Sequence, residues 1–187
     1  MKTYILPSLK LTAVLIVLCA VLYPLLITGI AKLAPGGGNG VTVTYRGKVV
    51  GYENIGQKFT NDKYFWGRPS AVGYNAAGSA GSNKGPSNPD YLKSVQERIN
   101  TFMAHNPAVK KSDIPAELVT ASGSGLDPDI SPAAAFVQVS RIAKARNIDE
   151  KKIRQLVNEQ VQKPMLGLFG PEKINVLKLN IALNNLK

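Results

Sequence analysis

Residues 11–31 read LTAVLIVLCAVLYPLLITGIA, with no charged side chain between Lys10 and Lys32. As a helix rising 1.5 Å per residue, the run is about 32 Å long, the thickness of a bilayer's hydrocarbon core. Twelve of its positions are Leu, Ile or Val. At roughly −0.3 to −0.6 kcal/mol each they favour insertion by about 4–7 kcal/mol, more than Pro24, Thr12 and Thr28 can return. A helix also satisfies its own backbone in lipid, and Pro24 is expected to kink it. Gly29-Ile30-Ala31 resembles a signal-peptidase site, but a signal peptide's apolar region is usually 7–15 residues, shorter than this one. The run therefore predicts an uncleaved transmembrane helix over 11–31. Lys2 and Lys10 precede it and Lys32 stands alone after it until Arg46, which keeps residues 1–10 in the cytoplasm and exports the rest.

The residues beyond the run suffice for one domain with its own core. In them, 21 lysines and arginines face 12 aspartates and glutamates, a balance of +9. These charges are scattered, apart from pairs such as Lys110-Lys111 and Lys151-Lys152. That pattern suits solubility or a membrane-facing surface better than nucleic acid. The single cysteine, Cys19, lies in mid-anchor, so no intrachain disulfide can form and the fold must rest on packing.

Residues 32–40 contain PGGGNG, a flexible tether. Residues 41–45 and 48–52 alternate around Arg46-Gly47 as a hairpin. Residues 70–88 are nearly all Gly, Ala, Ser and Asn, too long for an idle loop, so they are functional or packed against a partner. Asn88-Pro89 caps a helix carrying Leu92, Val95, Ile99 and Phe102 at helical spacing, closed near His105 and Pro107. Residues 120–125 form a second flexible loop. Ser131-Pro132 opens a helix with Ala135, Val139 and Ile142 on one stripe; Gln138 and Arg141, on another side, are expected to point away from the core. Asp149 starts a further helix with Ile153, Leu156, Val157 and Val161 on its apolar face. Residues 175–186 alternate as well as repeat, and are read as a helix through Val176, Leu179, Leu183 and Leu186. The fold class is thus one N-terminal transmembrane helix plus one α+β soluble domain over 41–187.

Catalytic chemistry has little to stand on. His105, the only histidine, reads as structural at a helix C-terminus. One histidine and a membrane-buried cysteine supply none of the usual zinc sets. Asp127 and Asp129 flank Pro128 as turn and capping residues rather than an acid–base pair. The Ser-Gly-Ser-Gly run at 122–125 could form an anion nest, but lacks the Lys-Ser/Thr of a P-loop. Gln138 with Arg141 is the one polar pair that reads as a candidate ligand contact, against the alternative of a solvated or partner-facing surface.

Taken together, the motifs resemble a known family over essentially the whole chain. After the single anchor come Gly56-Gln57-Lys58-Phe59, YFWGRPSA (64–71), GSNKGPSNP (81–89) and VTASGSGLDPDISPAAA (119–135). Gln138, Arg141, Ala143 and Arg146 follow in the family's spacing, then LGLFG (166–170) and NVLKLN (175–180). The chain resembles the C subunit of the bacterial high-affinity potassium-transporting ATPase, the KdpC family. It departs from the family pattern at Lys84, Asp129 and Pro171. The resemblance implies a non-catalytic accessory subunit in the cell inner membrane. Its partners would be a potassium-channel-like subunit, a P-type ATPase subunit and membrane lipid. It also implies a catalytic-chaperone role that raises the ATPase subunit's affinity for ATP, which makes Gln138 and Arg141 candidate ATP-linked residues. The chain would hold no cofactor of its own, ATP entering through the ATPase subunit. That role conflicts with a domain outside the cell, where ATP is scarce. The alternative from another class is a membrane-anchored extracytoplasmic enzyme, for which no nucleophile–base pair is visible.

Overall fold

The computed structural model describes residues 2–186 and divides into two compact units, Met1–Thr42 and Val43–Lys187. In the first unit α1 (Lys2–Ile16) and α2 (Tyr23–Ala31) are joined by a π-helical turn, Val17–Leu22. The helical stretch Tyr4–Ala31 is long and apolar enough to cross a membrane, and none of its most apolar window is buried in protein. It reaches further back than the uncharged run. The turn explains how the helix absorbs Pro24. A proline has no N–H for the carbonyl one turn back and its ring crowds that carbonyl, so the turn before it widens and the Tyr23 N–H reaches Leu18 O, five residues back. The carbonyl of Pro24 itself accepts from Thr28 Oγ1 at 2.7 Å. In the tether, Pro35–Gly38 makes one short 3-10 turn whose Gly36 and Gly37 sit at φ +79° and +61°.

β1 (Thr42–Tyr45), which begins on the last residue of the first unit, and β2 (Lys48–Tyr52) form the expected hairpin. Arg46 and Gly47 both have positive φ, as a tight two-residue turn requires. After a long stretch without regular structure comes α3 (Pro89–His105), capped by Asn88 Oδ1 accepting the Tyr91 N–H at 3.0 Å. Its apolar stripe is only half covered: Phe102 is buried and Leu92 is exposed. β3 (Asp129–Ile130) leads into α4 (Pro132–Phe136), where Ser131 Oγ accepts the Ala134 N–H. The predicted single helix breaks at Val137-Gln138 and resumes as α5 (Val139–Arg146), which ends on Asn147 in the left-handed conformation. Asp149 caps α6 (Glu150–Glu159), and β4 (Ile174–Asn175) leads into α7 (Val176–Asn185). β3 and β4 pair antiparallel, Asp129 opposite Asn175 and Ile130 opposite Ile174. The ambiguous last segment is therefore helical, with Asn175 at its cap.

α6 packs on α4, α5 and α7, and their apolar faces meet in one core. Phe65, Ile130, Val139, Ile142, Ile153, Ile174, Leu179 and Leu183 are sealed within it. The fold is the α+β domain the patterning predicts, preceded by one apolar helix.

Candidate functional site

The polar centre of this domain is built around a segment with no secondary structure. Residues 61–64 make a turn in which the Tyr64 N–H bonds Asn61 O at 3.1 Å, and Phe65 and Trp66 follow without a sheet partner, so the backbone groups left over need other donors and acceptors. Side chains provide them. Asn180, on α7, accepts the Phe65 N–H at 2.8 Å and donates to Phe65 O at 3.0 Å. Gln138, at the break between α4 and α5, does the same for Trp66, at 2.8 and 3.1 Å. Arg141 Nη1 donates to Asp62 O and Tyr64 O at 2.7 and 3.1 Å, and Arg146 Nε to Lys63 O at 2.6 Å. Each of the five carbonyls from Asp62 to Trp66 thus accepts from a side chain. The amides of Asn180 and Gln138 reproduce the paired bonds of a strand ladder.

Gln138 and Arg141 consequently lie inside the protein, and the expectation that they point away from the core is corrected. Gln138 is fully buried and Arg141 is 6 % exposed. The apolar stripe of α4 and α5 faces α6, while the opposite, polar side is covered by residues 62–66, so both sides of the helix are interior. Arg141 Nη2 donates to Gln138 Oε1 at 2.7 Å and Nε to Asn106 Oδ1 at 3.0 Å. Its guanidinium lies over the Trp66 ring, 4.4 Å from the centroid. Burial pushes the Arg141 pKa down to about 10, with the nearby Asp62 carboxylate pulling it back up. The group therefore stays charged at neutral pH.

Asp62 also meets His105, Nδ1 to Oδ1 at 2.8 Å, and Trp66 lies edge-on to the His105 ring. The pair ties the α3 terminus to the turn at Asp62. Beside it opens a groove of about 420 Å³ reaching Asp62, Ser140, Arg141 and Lys144. A second groove, about 280 Å³, has Lys58, Arg68 and Arg98 around an aromatic floor of Phe59, Trp66 and Phe102. At its edge the Tyr74 hydroxyl donates to Arg68 O. Burial first, then Asp127, pushes the Tyr74 pKa up to about 12, against the opposing charge of Arg68.

The acidic pair 127/129 is divided between two tasks. Asp127 Oδ1 accepts the Asp129 N–H at 3.1 Å, the expected turn bond, and Asp127 Oδ2 pairs with Arg68 at 2.9 Å. Asp129 pairs with Lys173. Neither ion pair is legible from the turn pattern. The Ser-Gly-Ser-Gly loop spends N–H groups on itself and its neighbours. Ser122 N donates to Pro69 O, Gly125 N to Ser122 Oγ and Leu126 N to Ser124 Oγ. It also receives the 70–88 segment, through Ser70 Oγ to Gly125 O and Ser79 Oγ to Ser124 O. The two glycine-rich loops are each other's packing partner. Among the described residues no cluster of three or more His, Cys, Asp or Glu could hold a metal ion.

An apolar helix of membrane-spanning length followed by a small α+β domain is the architecture of a single-anchor membrane protein. The family model described as "K+-transporting ATPase, c chain", KdpC, matches residues 5–185. Proteins named potassium-transporting ATPase KdpC subunit are similar along almost their full length. That of Flavobacterium johnsoniae is 61 % identical over 179 residues, 96 % of each chain. That of Bacteroides fragilis is 56 % identical over 190 residues, covering 100 % of this chain and 99 % of its own. The relative from Caldanaerobacter subterraneus is 48 % identical over 177 residues. The chain belongs to the KdpC family, the C subunits of the potassium-transporting ATPase.

Proposed function

We propose that this chain is a non-catalytic subunit that stabilises a high-affinity, ATP-driven potassium pump in the cell inner membrane. It holds the channel-like and P-type ATPase subunits together, with its N-terminus in the cytoplasm and its α+β domain outside. The family match and the apolar helix support complex membership and anchoring. The observation that carries the non-catalytic reading is the engagement of Gln138 and Arg141. Every hydrogen-bonding direction of the Gln138 amide is occupied within the domain, and Arg141 donates from all three of its nitrogens. A nucleotide could use them only by releasing residues 62–66. On this reading the chain holds no cofactor of its own. An influence on the ATPase subunit's affinity for ATP passes through subunit contacts, ATP itself being held by that other chain.

Orientation is tested by protease added to spheroplasts carrying the tagged complex. Digestion of the domain beyond the anchor, with residues 1–31 left in the membrane, is the expected result. Protection of the domain until the membrane is permeabilised would put it in the cytoplasm and return direct ATP contact to consideration.

A further inference from the structure

After α6 the chain makes a hairpin, residues 162–173, that takes no part in the core or the clamped segment. Its stem is Gln162 paired with Lys173, N to O at 2.8 and 3.1 Å, and its tip is Met165 paired with Phe169, both bonds 3.0 Å. Gly167 N donates to Pro164 O and Leu168 N to Met165 O, which closes the turn on itself. Leu166 and Gly167 take the left-handed conformation there, at φ +55° and +73°. Four N–H groups of the tip are therefore satisfied locally, and its side chains are not. Met165, Leu166, Leu168 and Phe169 are 68, 83, 81 and 60 % exposed. Four large apolar side chains on one self-bonded finger mark an interaction site.

Lipid and protein are the two apolar surroundings within reach, and the base of the finger separates them. Docking to a bilayer calls for a basic collar and for Trp or Tyr at the interface. Here Lys163 is offset by Glu172, and Lys173 is held by Asp129 at 2.6 Å. No Trp or Tyr lies in 162–173. A neutral collar around Leu, Phe and an adaptable Met suits instead the desolvated centre of a protein interface. We infer that residues 165–169 seat in an apolar socket on a partner subunit of the same potassium-transporting ATPase. This rests on the assembly role proposed above, and it names the part of the domain that makes the contact.

The test uses the full chain co-expressed with the other chains of the pump. A photoreactive benzoylphenylalanine at Leu168 is expected to cross-link to another subunit, and the same probe at exposed Ser112 is not. The triple variant L166S/L168S/F169S, pulled down by a tag on this chain, is expected to recover partner chains about tenfold less. Its domain should unfold at the unaltered temperature, because the replaced side chains are exposed. Cross-linking from position 168 to lipid alone, or to nothing, overturns the inference, as does undiminished recovery by the triple variant. Failure of the unaltered chain to recover any partner is a different pattern, which sinks the assembly role itself.

Discussion

Gln138 makes four hydrogen bonds in a fully buried position, two of them to the backbone of a residue 72 positions away. Truncating it strands the Trp66 N–H and C=O together, and a buried polar group left unpaired costs about 1–3 kcal/mol. Gln138→Ala is therefore expected to lower stability by about 3 kcal/mol in urea unfolding. In complexes that still assemble, the pump's apparent ATP affinity should not change. A variant with unaltered urea midpoint and weakened ATP affinity would instead make Gln138 a ligand contact. The misreading of this residue has a physical cause. A stripe of apolar positions tells which side of a helix meets the core, but it cannot tell that the other side is covered by a distant segment's backbone. A backbone partner leaves no side-chain pattern. The one visible sign is Asn180, a lone amide between Leu179 and Ile181 on a helix otherwise apolar at that level, because such residues persist inside only when bonded.

At the level of elements, the caps and stops were legible and the loop packing was not. Asn88, Ser131, Asp149 and Asn175 each cap a helix by accepting a backbone N–H in its first turn. Their chemistry is local, so the sequence carries it. The break at Val137-Gln138 has no proline or glycine to announce it. The contacts that fix the irregular segments are also distant in sequence, and they depend on glycines where backbone meets backbone. Gly56 donates to Leu126 O at 2.7 Å, and a Cβ there would lie 2.4 Å from Asp127 O. The neighbour is main chain held by the Arg68–Asp127 pair, so it cannot swing aside. Gly56→Ala is expected to cost about 2 kcal/mol or more by forcing the two loops apart, read as a fall in thermal midpoint. An unchanged midpoint would mean that the 126–127 turn shifts freely.

For the molecule as a whole, the anchor is the feature that the sequence carries most completely, because insertion depends on composition and length. The π turn was less visible, since Pro24 announces a defect without saying which form it takes. Val17 begins that turn and is half exposed. Placing a lysine there costs about 3–4 kcal/mol, including the lost valine, against the anchor's total of roughly 4–7 kcal/mol. Val17→Lys should therefore leave insertion marginal, with much of the chain extractable from membranes by alkaline carbonate. Full retention in the carbonate pellet would show that neighbouring helices shelter the charge.

The side-chain ladder on residues 62–66 sets an order of events during synthesis. Its amide partners arrive late: Gln138 is made after 72 further residues, and Asn180 after 115. Until α7 exists, the Phe65 N–H and C=O have only water. The aromatic run Tyr64-Phe65-Trp66 must wait, unburied, for almost the entire domain to be made. Closure over such separations is the slow kind. A chaperone that recognises exposed aromatic segments would find its target in this chain early in synthesis, and would lose it only when Asn180 closes the ladder.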